Sequence, residues 1–274
     1  MDDAEVLALF DRRMRREAPP DGPGCDVERV GDVVRQTGPP EAWNGVLWSG
    51  LTAATADAAV AEQVRHFTAL GRDFEWKLYA HDEPHDLGTR LRAAGFTAGP
   101  REALMVAEAD RIAALGTAPP DGVELVPVTD AAGVDLMGEV HDRAFGTDGA
   151  RLRRRLVRRL AEAPGTLVAV VAVADGRPVS SARMECVPGT GFAGLWGGGT
   201  VPGWRGRGLY RSLVVHRARV AADRGHRWLQ VDASDDSRPI LGRLGFRVLS
   251  TTTPYDHRPE TAGGQRSGGQ RSGG

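Results

Sequence analysis

Apolar positions fall along the chain in two rhythms. An apolar run, Leu167 to Ala174, and a second stretch, Val179 to Val187, flank Asp175-Gly176, a dipeptide suited to a tight hairpin whose central residues take positive φ. They predict two paired strands. Leu152, Leu156 and Leu160 recur at helical spacing and predict a helix over about 149–162. Before it the pattern predicts a strand at Val123–Val128 and a helix capped by Thr129 or Asp130 that reaches about Ala144. After the hairpin come a strand at Ala193–Val201, a helix from about Leu209 to Arg224 and a strand at Arg227–Ala233. A short helix ending at Leu244 and one or two closing strands reaching Tyr255 complete the half.

The same order of elements occurs earlier in the chain. His66–Phe96 aligns with His216–Phe246 at an offset of 150, and both windows run from a helix through a Gly/Asp/Arg turn into a short strand containing Trp76 or Trp228. Asp82 then falls over Asp232, and the windows close on LRAAGF and LGRLGF. GVLWSG at 45–50 lies over GLWGGG at 194–199 with a slip of one residue. Two related α+β modules follow from this repeat.

Module boundaries are set by composition. GTAPPDG at 116–122 separates an apolar run from the strand-like VELVPV, and PETAGGQRSGGQRSGG at the carboxy terminus cannot recover the entropy of being ordered. The chain therefore divides into modules at 1–115 and 120–257 and a flexible Gly/Arg/Ser tail at 258–274.

A formal net charge of −1 leaves no global attraction to nucleic acid or an anionic membrane. Basic character comes almost entirely from arginine, with Lys77 the one lysine. Cys25 and Cys186 lack metal-site spacing or a disulfide framework, so no metal is expected. The amino terminus has no signal-peptide core and the longest apolar run is too short to span a bilayer, which points to the cytoplasm.

The segment that carries chemistry is GGGTVPGWRGRGLY, residues 197–210, a strand entering a long helix through a glycine-rich turn. Amides in the first turn of a helix lack internal partners, and the helix dipole adds positive potential there, so a diphosphate is the ligand such a turn suits. Gly206 and Gly208 allow phosphate oxygens to approach the main chain, and Arg205, Arg207 and Arg211 are placed to add charge-assisted hydrogen bonds. The turn lacks the third glycine of a dinucleotide fingerprint and the lysine of a triphosphate loop. The plainer alternative is a tight strand-to-helix connection with no ligand.

Val201 to Leu209 resembles the signature V-x-P-x-x-R-G-x-G-x-G/A of the GNAT superfamily of acyl-CoA-dependent N-acetyltransferases, and the resemblance extends over the order of elements from about 123 to 255. It implies two GNAT-like modules, each a mixed, mostly antiparallel sheet flanked by helices, the first degenerate because TADAAV at 55–60 has neither glycine nor arginine. The implied co-substrate is acetyl-CoA or another acyl-CoA, held by Gly199, Thr200, Val201, Arg205, Gly206, Arg207, Gly208, Leu209, Tyr210 and Arg211, with Ser234 and Ser237 beside the pantetheine arm. Strands on either side of the turn and helix are expected to splay, with Gly197 to Thr200 forming a bulge and an amide near Gly199 to Val201 facing the oxyanion.

Two departures stand out. Tyr210 occupies the motif's last glycine or alanine, and Leu241 replaces the tyrosine that protonates the leaving thiolate in many family members. Tyr255 is the candidate for that role, with Tyr210 the other nearby phenol. Glu185 is the first candidate for the base that deprotonates the amine, and its plain alternative is a solvated strand-end acid. His141, Asp142 and Asp148 flank the expected acceptor pocket. The arginine-rich run 151–159 reads first as a solvated helix face and second as a guide for anions.

The resulting expectation is transfer of a short acyl group to an amine of a small molecule or peptide, without nucleic acid or membrane and with a homodimer admitted. The competing expectation is a non-catalytic acyl-CoA sensor or interaction module, favoured by Leu241. The first module then serves to complete the sheet or wall the acceptor site.

Overall fold

The computed structural model describes residues 1–259, and the tail expected at 258–274 lies from residue 260 outside the described residues. The first half contains α1 (Asp3–Phe10), continued by a π-helical turn Asp11–Arg16, then β1 (Asp26–Val30), β2 (Val33–Thr37), β3 (Gly45–Ser49), α2 (Ala56–Ala69) and β4 (Phe74–Tyr79). It ends with α3 (Leu87–Ala93), β5 (Thr97–Ala98), β6 (Glu102–Glu108) and α4 (Ala109–Ala113). The second half contains β7 (Val123–Pro127), α5 (Ala131–Phe145), α6 (Ala150–Glu162), β8 (Leu167–Ala174), β9 (Arg177–Cys186) and β10 (Phe192–Thr200). It closes with α7 (Leu209–Asp223), β11 (Trp228–Ala233), α8 (Arg238–Leu244) and the long β12 (Arg247–His257).

Local chemistry explains most boundaries. Asp130 accepts from the amide of Gly133 and caps α5, while Gly146 ends it in the left-handed conformation. Asp175 and Gly176 both have positive φ and join β8 to β9 in the hairpin that the dipeptide predicts. LRAAGF and LGRLGF form the same helix end: Leu91 and Leu241 are fully buried, and Gly95 and Gly245 turn the chain at φ 92° and 103°. In both, the Phe amide donates to the leucine carbonyl at 3.1 Å.

The repeat is real but not uniform. α2 and α7 begin at Ala56 and Leu209, 153 positions apart, whereas Gly95 and Gly245 are 150 apart, because residues 80–86 connect β4 to α3 and only 234–237 connect β11 to α8. Asp82 falls in this longer connection and binds Arg15, so it is not the counterpart of Asp232, which lies within β11. The stretch matching the phosphate turn is 48–55, WSGLTAAT, with one glycine and no arginine.

All twelve strands form one sheet in the order β1-β2-β3-β4-β12-β6-β11-β10-β9-β8-β7, with β5 beside β12. Pairing is antiparallel except at β3–β4 and β10–β11. The halves exchange strands across the centre. β12 lies between β4 and β6 of the first half, and β6 lies between β12 and β11 of the second. Helices α2, α3, α4, α7 and α8 cover one face, where Trp76, Phe67, Leu229, Val231 and Val214 lie in the apolar core. On the other face, Val6 and Phe10 of α1 pack against Tyr79, Leu104, Phe192 and Trp228 near the seam, while α5 and α6 cover β8. Among the described residues no helix is long and apolar enough to cross a membrane.

Because each half lends a central strand to the other, neither should fold alone. The described chain should unfold in urea as one transition, and residues 1–118 alone should give no cooperative transition by circular dichroism. Two resolved transitions for the whole chain would contradict this.

Candidate active site

β10 and β11 begin side by side and then part. Their parallel pairing covers only Phe192, Ala193 and Gly194 against Trp228, Leu229 and Gln230, so the edge of β10 beyond Gly194 has no strand partner on that side. On its other edge β10 stays paired with β9, but the register jumps between Trp196 and Gly199. Gly197 makes that bulge at φ +57°, and a Cβ there would meet Arg183 Nη1 at 2.5 Å. Small residues are needed at the next positions too, because Tyr210 packs on Gly198 and the end of α5, Ala144 and Phe145, packs on Gly199. The Val201 amide donates to the Val179 carbonyl, so within the expected 199–201 oxyanion stretch this donor is already engaged. Thr200 is turned to the buried Ser180 hydroxyl at 2.8 Å.

The turn after β10 is anchored at both ends by buried residues, Val201 and Leu209, in a cluster with Val140 and Val179. Between them Gly206 and Gly208 have φ of +75° and +83°, values that strain any L side chain, and a Cβ on either would meet nothing within 4 Å. Gly208 is the N-cap of α7 and supplies no side-chain acceptor, so the first amides of this fifteen-residue helix face open space. Uncapped amides at a helix start of this kind suit an anion.

The arginines are distributed differently from the expectation. Arg205 donates to the carbonyls of Thr200 and Ala144 and ties the turn to the end of α5. Arg211 donates to Thr117. Arg207 lies over the Trp204 ring, 4.6 Å from its centroid, and is exposed. Ser234 and Ser237 share an exposed hydrogen bond at the start of α8.

The two phenols are far apart. Tyr255 is buried in β12 opposite Trp76, with its hydroxyl against Gly88 of α3, in the core of the first half. Strand exchange carries it there, and it is not beside the turn. Tyr210 is: its ring lies on Gly198, and burial raises its pKa while the Arg217 guanidinium and the nearby Ser237 work against that rise. Leu241 is fully buried in the adjoining core.

On the face of α1, α5 and α6, a cavity of about 340 Å³ opens beside Gly194 and Trp196 and is walled by both halves. Trp43, Tyr79 and Trp196 give it aromatic surface. Lys77 of β4 crosses the seam to Asp232 of β11. Burial pulls the Lys77 ammonium down, but the Asp232 carboxylate outweighs it and holds the group above its ordinary range. Asp232 is 1% exposed at its side chain, and among the described residues its buried Oδ1 has no hydrogen-bond partner.

Glu185 also lines the cavity, but it is no solvated strand-end acid. Arg155, Arg159 and Arg183 all approach its carboxylate at 3.2–3.3 Å. Burial raises its pKa, and the three guanidiniums overcome that and hold it below the usual carboxylate range. The run 151–159 is likewise a docking face rather than a solvated one: Arg155 and Arg159 reach Asp21, Arg158 reaches Glu41, and Arg151 donates to the Ala42 carbonyl. His141, Asp142 and Asp148 surround the α5–α6 connection, where Asp142 binds Arg153 and the Gly149 amide.

No family model and no curated protein matches the sequence. Solved structures do match the fold. A GCN5-related N-acetyltransferase from Kribbella flavida has a TM-score of 0.66 over 93% of each chain at 20% identity. A tandem GNAT protein from the clavulanic acid biosynthesis pathway has a TM-score of 0.60 at 15% identity, covering 96% of this chain and 97% of that one. A functionally unknown conserved protein from Staphylococcus epidermidis has a TM-score of 0.65 at 14% identity, covering 89% of this chain and 97% of that one. The architecture is therefore that of the GNAT N-acetyltransferases, in the two-module arrangement that the sequence pattern implies.

Removing the Glu185 charge leaves three guanidiniums short of an anion, so Glu185→Gln should destabilise the fold by about 3 kcal/mol at neutral pH. The sign with pH follows from the lowered folded value: the contribution is complete above about pH 4.3, the free glutamate value, and is lost as pH falls through the folded one. Urea titrations at pH 7 and pH 3.5 should show the gap between the two proteins closing in acid.

Proposed function

We propose that this chain transfers an acyl group from an acyl-coenzyme A to an amine held in the cavity between its halves. The observation that carries this is the parting of β10 from β11 beyond Gly194, with the open, glycine-capped start of α7 on one side and the cavity on the other. The acyl-CoA supplies an activated thioester, and the chain's own residues hold it and prepare the amine. The main chain at Gly206, Gly208, Leu209 and Tyr210 would bind the diphosphate, with Arg207 the nearby exposed cation, while Gly199, Thr200, Ser234 and Ser237 line the pantetheine path. The first module, 1–115, serves as the wall of the acceptor site, and 120–257 as the coenzyme-binding module.

Two roles move from the sequence expectation. We assign the amine-facing carboxylate to Asp232 rather than Glu185, because three arginines already occupy Glu185 and Asp232 keeps an oxygen free. We assign proton donation to Tyr210 rather than Tyr255, because burial keeps the Tyr210 phenol protonated at neutral pH and its ring lies at the splay.

Calorimetry and thiol release test this reading together. The protein should bind acetyl-CoA with micromolar affinity and release thiol with at least one member of an amine panel, whereas Gly208→Val should lose binding by about a hundredfold because φ +83° excludes a branched residue. Absence of heat with any acyl-CoA would remove the proposal. Tyr210→Phe should lower kcat by about tenfold to a hundredfold with the acetyl-CoA Kd changed less than about threefold. A variant at full speed would exclude Tyr210 as the donor.

A further inference from the structure

A second, more open cavity of about 360 Å³ adjoins the first and shares Trp43, Glu75 and Arg155 with it. Four carboxylates line this outer mouth without an ion-pair partner among the described residues: Asp73, Glu75, Asp148 and Asp256. Opposing them are Arg151, which donates to the carbonyls of Glu41 and Ala42, and Arg258 beside Asp256. Arg155 is already engaged by Asp21 and Glu185, so the mouth is net negative. An acidic rim alone would only describe a surface. The second observation is inside: Asp232 is a buried carboxylate lining the inner cavity, with Oδ2 on Lys77 and Oδ1 without a donor. Glu75 and Glu102 lie within Coulomb reach of this pair, while the arginines that also line the cavity are engaged elsewhere, Arg15 by Asp11 and Asp82, Arg155 by Asp21 and Glu185, and Arg183 by Glu185.

A buried acceptor atom without a partner carries a desolvation cost that a ligand's N–H relieves. Between this inner carboxylate and the outer rim the walls include Trp43 and Trp196, surfaces that suit methylene groups and attract ammonium ions. Lys77 already lies 5.4 Å from the Trp196 ring centroid in that manner. A ligand carboxylate would meet like charge at either end.

We propose that the acceptor is an aliphatic diamine or polyamine, bound with one nitrogen at Asp232 and a second, positively charged nitrogen at the acidic mouth. This rests on the acyl-transfer reading for the fate of the inner nitrogen, but the cation site itself does not. The inner ammonium gives one proton through Asp232 to solvent and attacks the thioester carbonyl; the C–N bond forms as the C–S bond breaks, the new amide nitrogen releases a second proton, and the thiolate is protonated to the free thiol. The outer nitrogen stays protonated throughout and fixes the chain's direction.

Binding to the full chain, followed by calorimetry without coenzyme, tests the site directly with putrescine, spermidine, butylamine and γ-aminobutyrate. Putrescine and spermidine should bind at least about tenfold more tightly than butylamine, and γ-aminobutyrate more weakly still. Asp73 and Asp256 are exposed, so the double variant Asp73→Asn, Asp256→Asn should fold normally and cut the diamine advantage about threefold or more, leaving butylamine unchanged. Equal affinity for butylamine and putrescine, or a diamine preference untouched by the double variant, overturns the proposal. Thiol release from acetyl-CoA with the same panel separates the two readings. Preferential diamine binding with no thiol release leaves the cation site and sinks acyl transfer, whereas equal turnover of mono- and diamines supports transfer and rejects this acceptor class.

Discussion

The placement of β12 between β4 and β6, and of β6 between β12 and β11, is the constraint from which the rest of the molecule follows. A sheet pairs only where backbone groups find partners in register, and here each half's partner strand comes from the other half. The two modules therefore cannot be docked or undocked as domains joined by a linker can. Side chains of β4 and β11 become fixed walls of one cavity, and Lys77 can reach Asp232 across what the sequence presents as a module boundary. The same exchange carries Tyr255 away from the second half, although its position in the chain suggests the opposite.

A second set of contacts closes the seam on the cavity face. Charged groups withdrawn from water need partners, and an arginine-rich helix would be costly to pack unless the opposing surface supplied acceptors. Asp21, Glu41, Glu185 and the Ala42 carbonyl do so for Arg155, Arg158, Arg159 and Arg151. The geometry assigns those arginines to joining the halves, which leaves the outer carboxylates at Asp73 and Asp256 largely uncompensated. The negative mouth is thus a consequence of where the positive charge was used.

Features decided within about fifteen residues were legible beforehand. The hairpin at Asp175-Gly176, the cap at Asp130, the leucine seam of α6 and the glycine turn before α7 each follow from local backbone or periodicity rules, and the structure has them within a residue or two. The repeat was legible because two copies of one helix ending, at Gly95 and Gly245, need the same left-handed glycine. Strand order was not, since no local pattern distinguishes a closing strand that returns to its own module from one that crosses to the other. The solvated readings of Glu185 and of the arginine run fail for the same reason: sequence spacing shows charge on one face of an element, but only the fold shows what faces it. Asp232 carried one available signal, its place near the end of the strand that leaves the turn helix. The repeat alignment drew attention instead to Asp82, three residues out of step.

The choice of lysine at position 77 bears on what the cavity is for. The chain has 35 basic residues, of which Lys77 is the one lysine, so arginine is what this sequence uses wherever either cation serves. A guanidinium facing Asp232 would present parallel N–H donors able to engage both carboxylate oxygens. An ammonium is a compact point charge that binds Oδ2 and leaves the buried Oδ1 without a donor. Arginine at this position would therefore complete the carboxylate, whereas lysine neutralises one oxygen and leaves the other without a partner, the feature on which the proposed amine site depends.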